Sequence, residues 1–232
     1  MSWLGQRLHV PGGMAETIGE GPRVKFRADY GGAAEPWACA AELAAAMRDL
    51  EAHGCCPVLD DGLSAGNAAV RRGRHLLTTP SGRRPGAADP RDLVEVTAFD
   101  LDAWAVTYRA RTPALRPTSD TPLHWAVLLD PGAAEPGHAS PRVSLHGHVL
   151  QTRAAAEALG IPSSEEETLF STPEDRAAMV HLLRAHPYPR HRAWIRAGHG
   201  FVVAGEELAE TLAYTLALAT RARALGFLPA MP

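Results

Sequence analysis

Apolar residues change their period several times along the chain, and each change marks an element. After Pro36, Leu43, Met47 and Leu50 recur at helical spacing and Gly54 stands where a helix would end, which predicts a helix packing one face. Ser64-Ala65-Gly66-Asn67 reads as a polar turn, followed by a strand around Leu76–Thr79 and a second turn at Pro80-Ser81-Gly82. Leu93, Glu95 and Thr97 alternate against Val94, Val96 and Ala98, the two-residue period of a strand, and Trp104–Tyr108 gives another. Hairpin-length spacings make this run a β-meander.

The second half begins with Pro117-Thr118-Ser119-Asp120-Thr121-Pro122, a helix start with Ser119 or Asp120 as cap and Pro122 in the first turn, where its missing N–H costs nothing. That helix runs through Val127 and Leu129. A Gly/Pro-rich loop over Asp130–Pro141 leads to a strand over Val143–Val149. Thr172-Pro173-Glu174-Asp175 starts another helix, with Met179, Leu182 and Leu183 on its apolar face. Strands at Trp194-Ile195 and Phe201-Val202-Val203 precede a final long helix over Glu207–Leu225. Residues 1–36 hold several Gly and Pro and one alternating run, Arg23–Arg27, that suits an edge strand; they read as an N-terminal arm, with residues 37–232 as the domain. Strands set between helices with short connections predict an α/β fold in which helices flank a mostly antiparallel sheet.

Composition narrows the function classes. At 232 residues, 46% hydrophobic and 21% charged, the chain is long enough to bury a substantial core without disulfide staples. Its three cysteines, Cys39, Cys55 and Cys56, cannot all pair, which fits a reducing, cytoplasmic setting. The net charge is −3, Lys25 is the only lysine and the arginines are dispersed, so nucleic-acid binding is not expected. No apolar run approaches the roughly 20 residues of a membrane span, and the N-terminus has no secretory pattern.

Eleven histidines are present, and two sites stand apart. In the strand Ser144-Leu145-His146-Gly147-His148, the two histidines project from the same face about 7 Å apart along the backbone, within reach of one metal ion. Gly147 between them allows a close backbone approach. His199, between Gly198 and Gly200 at a strand turn, is poorly placed as packing material. Three imidazoles with a carboxylate would complete a four-ligand site for zinc or another divalent transition metal. The alternative from spacing alone is half-buried histidines satisfied by hydrogen bonds. His53, His75, His138, His181, His186 and His191 read as surface or structural positions.

In this order, Ala65-Gly66-Asn67-Ala68-Ala69-Val70-Arg71, Thr79-Pro80-Ser81-Gly82, Pro117-Thr118-Ser119-Asp120, His146-Gly147-His148 and Gly198-His199-Gly200 resemble the class II aldolase/adducin superfamily over roughly residues 37–225. The resemblance implies a three-layer αβα domain, assembled as a homotetramer with sites at subunit interfaces. It also implies a catalytic divalent metal on His146, His148 and His199. Zinc is the usual ion, with Fe2+, Mn2+ and Co2+ as alternatives. Asp120 falls where the family carries a proton-moving carboxylate, and its Ser-Asp-Thr-Pro setting is similar to the epimerase branch. Asn67, Ser81, Gly82, Thr118 and Ser119 match positions that cradle a substrate phosphate, for which neutral donors at a helix start are suited; their other role is turn formation and capping.

The implied activity is that of a lyase on a hydroxycarbonyl small molecule, through a metal-stabilised enediolate with Asp120 carrying the proton. Epimerase, dehydratase, decarboxylase and iron-dependent oxidative chemistry share the fold, and a non-catalytic adducin-like scaffold is the reading from another class. The stretches in which epimerases keep further acid/base residues are not recognisable in Val149–Ile161 or Ser163–Phe170, nor is a C-terminal tyrosine segment recognisable before Pro232. Epimerisation of the standard pentose phosphate is therefore not expected. The segment Ser163–Arg192 is where specificity is expected, Glu165-Glu166-Glu167 reads as a solvated face, Tyr188 as a structural aromatic, and Arg83 and Arg84 as candidates to add charge to the phosphate pocket or as solvated surface.

Overall fold

The structure, a computed structural model, describes residues 25–57 and 65–229. Its centre is one eight-stranded sheet in the order β1-β5-β4-β3-β2-β6-β8-β7. The strands are β1 (Arg27–Tyr30), β2 (Gly66–Arg72), β3 (His75–Thr78), β4 (Val94–Asp100), β5 (Ala105–Arg109), β6 (Val143–Gly147), β7 (Ala193–Arg196) and β8 (Gly200–Gly205). Among the described strands, every ladder is antiparallel except that of the edge strand β1 with β5. The meander β2-β3-β4-β5 forms one half, and β6, β8 and β7 extend it beyond β2.

Five helices cover the two faces: α1 (Ala40–Ala52), α2 (Thr121–Leu129), α3 (Arg153–Leu159), α4 (Pro173–Ala185) and α5 (Leu208–Ala224). On one face α2 and α4 pack together over Leu76, Val94, Val96, Val106, Trp194 and Val202. On the other, α1, α3 and α5 cover Ala68, Val70, Leu77, Leu145, Ile195 and Val203. Alternate residues of each strand thus feed two separate cores, as the pleat requires. The result is the three-layer αβα arrangement with a mostly antiparallel sheet. Helix α2 is buried on nearly every side, from Thr121 to Leu128, which its almost uninterrupted apolar sequence permits. No helix among the described residues is long and apolar enough to cross a membrane.

Several elements differ from the sequence expectation. Gly66 and Asn67 do not form a turn but open β2, paired with Gly147 and His146 of β6; Ser64 lies outside the described residues. Gly-Asn-Ala-Ala is a weak strand former, and the flanking ladders override that propensity. The edge strand begins at Arg27 rather than Arg23, and Arg23 and Val24, with the rest of residues 1–24, lie outside the described residues. The strand at the histidine pair ends at Gly147, not Val149. Helix α3, unforeseen in Val149–Ile161, is framed by Thr152, whose side chain accepts from the Ala155 N–H, and by left-handed Gly160. Helix α4 begins as expected, with Thr172 accepting from Asp175 N–H.

Candidate metal centre

Three adjacent strands converge where β2, β6 and β8 end or begin. His146 sits inside the sheet, its backbone paired with Asn67 on one side and Val202 on the other, so its position is fixed by two ladders. His148 follows just past the end of β6, and His199 occupies the turn joining β7 to β8. Gly147 has no room for a side chain: a Cβ there would lie 2.5 Å from the Cys55 carbonyl and 2.6 Å from the Phe201 ring. Gly198 adopts φ +73°, a conformation that glycine takes without strain, and this turns His199 inward. Opposite them stands Asp120, in the N-cap position of α2. Its side chain makes no cap hydrogen bond and instead faces the three imidazoles.

All four side chains are buried, and their ligand atoms lie within 4.8 Å of one another. Asp120 Oδ2 is 3.7 Å from His146 Nε2 and 3.5 Å from His148 Nε2, and Asp120 Oδ1 is 3.2 Å from His199 Nε2. His146 Nδ1 is 2.7 Å from the Phe201 carbonyl, which only accepts, so that nitrogen carries the proton and Nε2 keeps a lone pair for a cation. His146 Nε2, His199 Nε2 and Asp120 Oδ1 are buried without a hydrogen-bond partner. Buried polar atoms are seldom left so. A divalent cation at their focus satisfies all of them, and three imidazoles with one carboxylate are a donor set suited to zinc and its neighbours.

The electrostatics agree with a cation there. Burial disfavours charge on His199, yet Asp175 and Asp120 outweigh it and raise its pKa to about 10. Burial, reinforced by His148, pushes His146 well below the usual histidine range. Burial also opposes charge on Asp120, but the facing His199 and its neighbours hold it well below the usual carboxylate range. Positive charge is thus held against an ionised Asp120, and a metal would take the place of that proton.

Two groups behind these four side chains are not singled out by sequence reasoning. His124, one turn into α2, has Nε2 2.7 Å from Asn67 Oδ1 and Nδ1 2.9 Å from Ser144 Oγ. Asn67 Nδ2 in turn donates to Asp120 Oδ2 at 2.5 Å. Because Asn67 Oδ1 only accepts, His124 donates from Nε2 and accepts at Nδ1, and the chain Ser144-His124-Asn67-Asp120 has one direction throughout. Asp175 is the second: its Oδ1 lies 3.6 Å from His199 Nδ1 and 3.0 Å from the Arg196 guanidinium. Burial opposes charge on Asp175 as well, but His199 and Arg196 lower its pKa. In sequence, Asp175 looks like an ordinary first-turn acid and His124 like one polar residue in an apolar run. The one available signal is that both are polar at positions the helical period assigns to the core.

Burial holds His124 neutral and lowers its pKa to about 4 from 6.5. The unfolded chain therefore binds one more proton than the folded one between those values, and stability falls as pH drops from 6.5 towards 4. The contribution is on the order of 3 kcal/mol. Urea melts at the two pH values are expected to show that much more acid loss in the wild type than in His124→Gln; equal losses would exclude His124 as the source.

The predicted anion-binding residues also come together. Pro80 bridges Pro117, Ser81 N–H donates to the Arg116 carbonyl, and Thr118 N–H donates to the Thr79 carbonyl, which sets Ser81-Gly82 beside Thr118-Ser119 at the start of α2. Asn67 lies deeper, its carboxamide engaged by His124 and Asp120. Arg84 is paired with Glu51 at 2.8 Å on an exposed surface. Glu165, Glu166 and Glu167 are exposed, as expected of a solvated face, with Glu167 against Gly198. Phe170 tilts over His199 with ring centres 6.0 Å apart, so the segment expected to govern specificity does reach the centre. Tyr188 is buried and its hydroxyl contacts Glu206, in keeping with a structural role.

Residues 41–225 match the family described as class II aldolase and adducin N-terminal domain. No curated protein matches the chain by sequence. Among solved structures, YgbL from Klebsiella pneumoniae superposes with a TM-score of 0.58 at 20% identity, covering 83% of this chain and 90% of that one. L-fuculose-1-phosphate aldolase from Thermus thermophilus gives 0.53 at 21% identity, covering 81% and 92%. A sugar-phosphate aldolase from Thermotoga maritima gives 0.52 at 18% identity, covering 82% and 97%. At these identities the structural likeness speaks for the fold.

Proposed function

The chain belongs to the class II aldolase and adducin family, and from that premise we propose that it is a divalent-metal-dependent lyase of the aldolase type. Its substrate on this reading is a small hydroxycarbonyl compound carrying a phosphate or similar anionic group. The observation that carries the proposal is the buried convergence of His146, His148, His199 and Asp120, with His146 Nε2, His199 Nε2 and Asp120 Oδ1 lacking a hydrogen-bond partner around one point. An adducin-like scaffold has no use for such a group, and burying it uncompensated is costly.

A divalent cation held by the three histidines, zinc foremost, supplies positive charge against the oxyanion that develops when a bond next to a carbonyl breaks. The chain's own residues do the rest. Asp120 takes the proton of the substrate hydroxyl as the carbon–carbon bond breaks; the bond's electron pair stays on the carbon next to the carbonyl, and the carboxyl group then returns a proton to that carbon. Asn67, oriented by His124, holds Asp120 in place. Ser81, Gly82, Thr118 and Ser119 offer hydroxyls and backbone groups to the anionic end of the substrate, aided by the positive start of α2.

Elemental analysis of the purified chain is expected to find one divalent metal ion, zinc first, that is lost together with activity on a panel of phosphorylated ketoses in the His146→Ala/His148→Ala variant. Iron in place of zinc would shift the balance towards the oxidative chemistry that shares the fold, and iron without cleavage of any ketose would overturn the lyase reading. Metal-free protein even after supplementation would overturn the catalytic reading altogether.

A further inference from the structure

The segment between α3 and β7, where the family pattern is least recognisable, places a second carboxylate behind the centre. Asp175 enters from the first turn of α4, where Thr172 receives its backbone N–H. Its Oδ1 accepts from Thr168 Oγ1 at 3.0 Å and from Arg196 Nη2 at 3.0 Å, and it lies 3.6 Å from His199 Nδ1. Arg196 is wholly buried, its Nη2 also touches the Thr168 hydroxyl, and its carbonyl receives the His199 N–H at 3.0 Å. One arginine therefore links the carboxylate to the backbone of the turn that carries His199.

Burying an aspartate and an arginine costs more desolvation than their attraction commonly returns, so such a pair is weak evidence for stability by itself. Its position gives it another use. An imidazole that ligates through Nε2 must carry its proton on Nδ1, and that proton needs an acceptor. His146 gives its own to the Phe201 carbonyl. His199 Nδ1 is buried with no hydrogen bond, and the group facing it is Asp175 Oδ1. The 3.6 Å separation is too long for a hydrogen bond and is of the kind that tightens when a site is loaded.

We propose that Asp175 is a positioning residue of the metal centre: it receives the Nδ1–H of His199, fixes the tautomer that presents Nε2 and makes that nitrogen more basic, while Arg196 and Thr168 hold the carboxylate in line. The proposal rests on the metal-binding reading above. It makes His199, the ligand on a turn, as firmly oriented as His146, the ligand inside the sheet.

Competition titration of Zn2+ with a chromophoric chelator, and the visible absorption of the Co2+-loaded protein, test it on this chain. Asp175→Asn is expected to weaken Zn2+ binding roughly 10- to 100-fold and to shift the Co2+ bands. Thr168→Val, which removes one hydroxyl and leaves both charges, is expected to do the same to a smaller degree. Should Asp175→Asn not fold, nitrogen-resolved NMR of the zinc-loaded wild type decides, since the proposal requires the His199 proton on Nδ1, shifted downfield by the carboxylate. Equal Zn2+ affinity and identical Co2+ spectra in wild type and Asp175→Asn, or ligation of His199 through Nδ1, would overturn the proposal and leave the metal reading standing. A wild type that binds neither ion would overturn both, and so the two failures are told apart.

Discussion

Asp120→Asn is expected to keep its metal and lose turnover by roughly 100- to 10,000-fold, the range associated with removing a positioned acid/base group. The substitution is nearly isosteric, and the three imidazoles that dominate the donor set are held by β6 and by the β7–β8 turn, independently of residue 120. Asn67 can still donate to the oxygen of the new amide. What disappears is the proton-carrying capacity and one unit of negative charge facing His199 at 3.2 Å. Metal content measured beside kcat separates the two roles. Loss of metal with loss of rate would make Asp120 chiefly a ligand, and full activity would remove it from the mechanism.

The second large effect is on stability. Arg196→Met is expected to destabilise the fold by about 3–5 kcal/mol, because it leaves the buried Asp175 carboxylate without its guanidinium. Adding Asp175→Leu on top is expected to recover most of that loss, since a well-packed apolar pair replaces the uncompensated charge. Urea melts of the two single variants and the double variant check this as a double-mutant cycle. A single-variant loss below about 1 kcal/mol would show that water reaches the carboxylate once the arginine is gone. The double variant is also expected to bind metal poorly while folding well, which separates the pair's service to the fold from its service to His199.

Much of this architecture is legible in the chain alone, and the exceptions have physical reasons. Strands β3, β4 and β5, helices α1, α2, α4 and α5 and the strands around His146 and His199 each carry a clean two-residue or helical period or a strong start signal. Strand β2 does not: Gly66, Asn67, Ala68 and Ala69 are small or polar, and only the ladders to β3 and β6 make them a strand. Helix α3 is a seven-residue, alanine-rich stretch with almost no amphipathic contrast. At the centre, the three histidines are legible because their spacing and glycine neighbours are unusual, whereas Asp120 reads as a helix cap by itself and is given a role at the site only by the family resemblance. Asp175 and His124 are not, because what matters about them is the group they face across the fold, and one-dimensional spacing carries no information about that.

The four converging side chains have two kinds of support. His146 is locked by hydrogen-bond ladders on both sides, whereas Asp120 is a single residue at the mouth of a helix whose remaining turns are buried against the sheet. On the proposed reading, geometry and reactivity are thereby entrusted to different parts of the chain. A change at position 120 would alter the length, charge or proton affinity of that carboxylate while the histidines stay on β6, just past its end, and on the β7–β8 turn. Mutation can therefore explore new chemistry there one codon at a time, which is the kind of modularity that lets a single scaffold diversify without first having to refold.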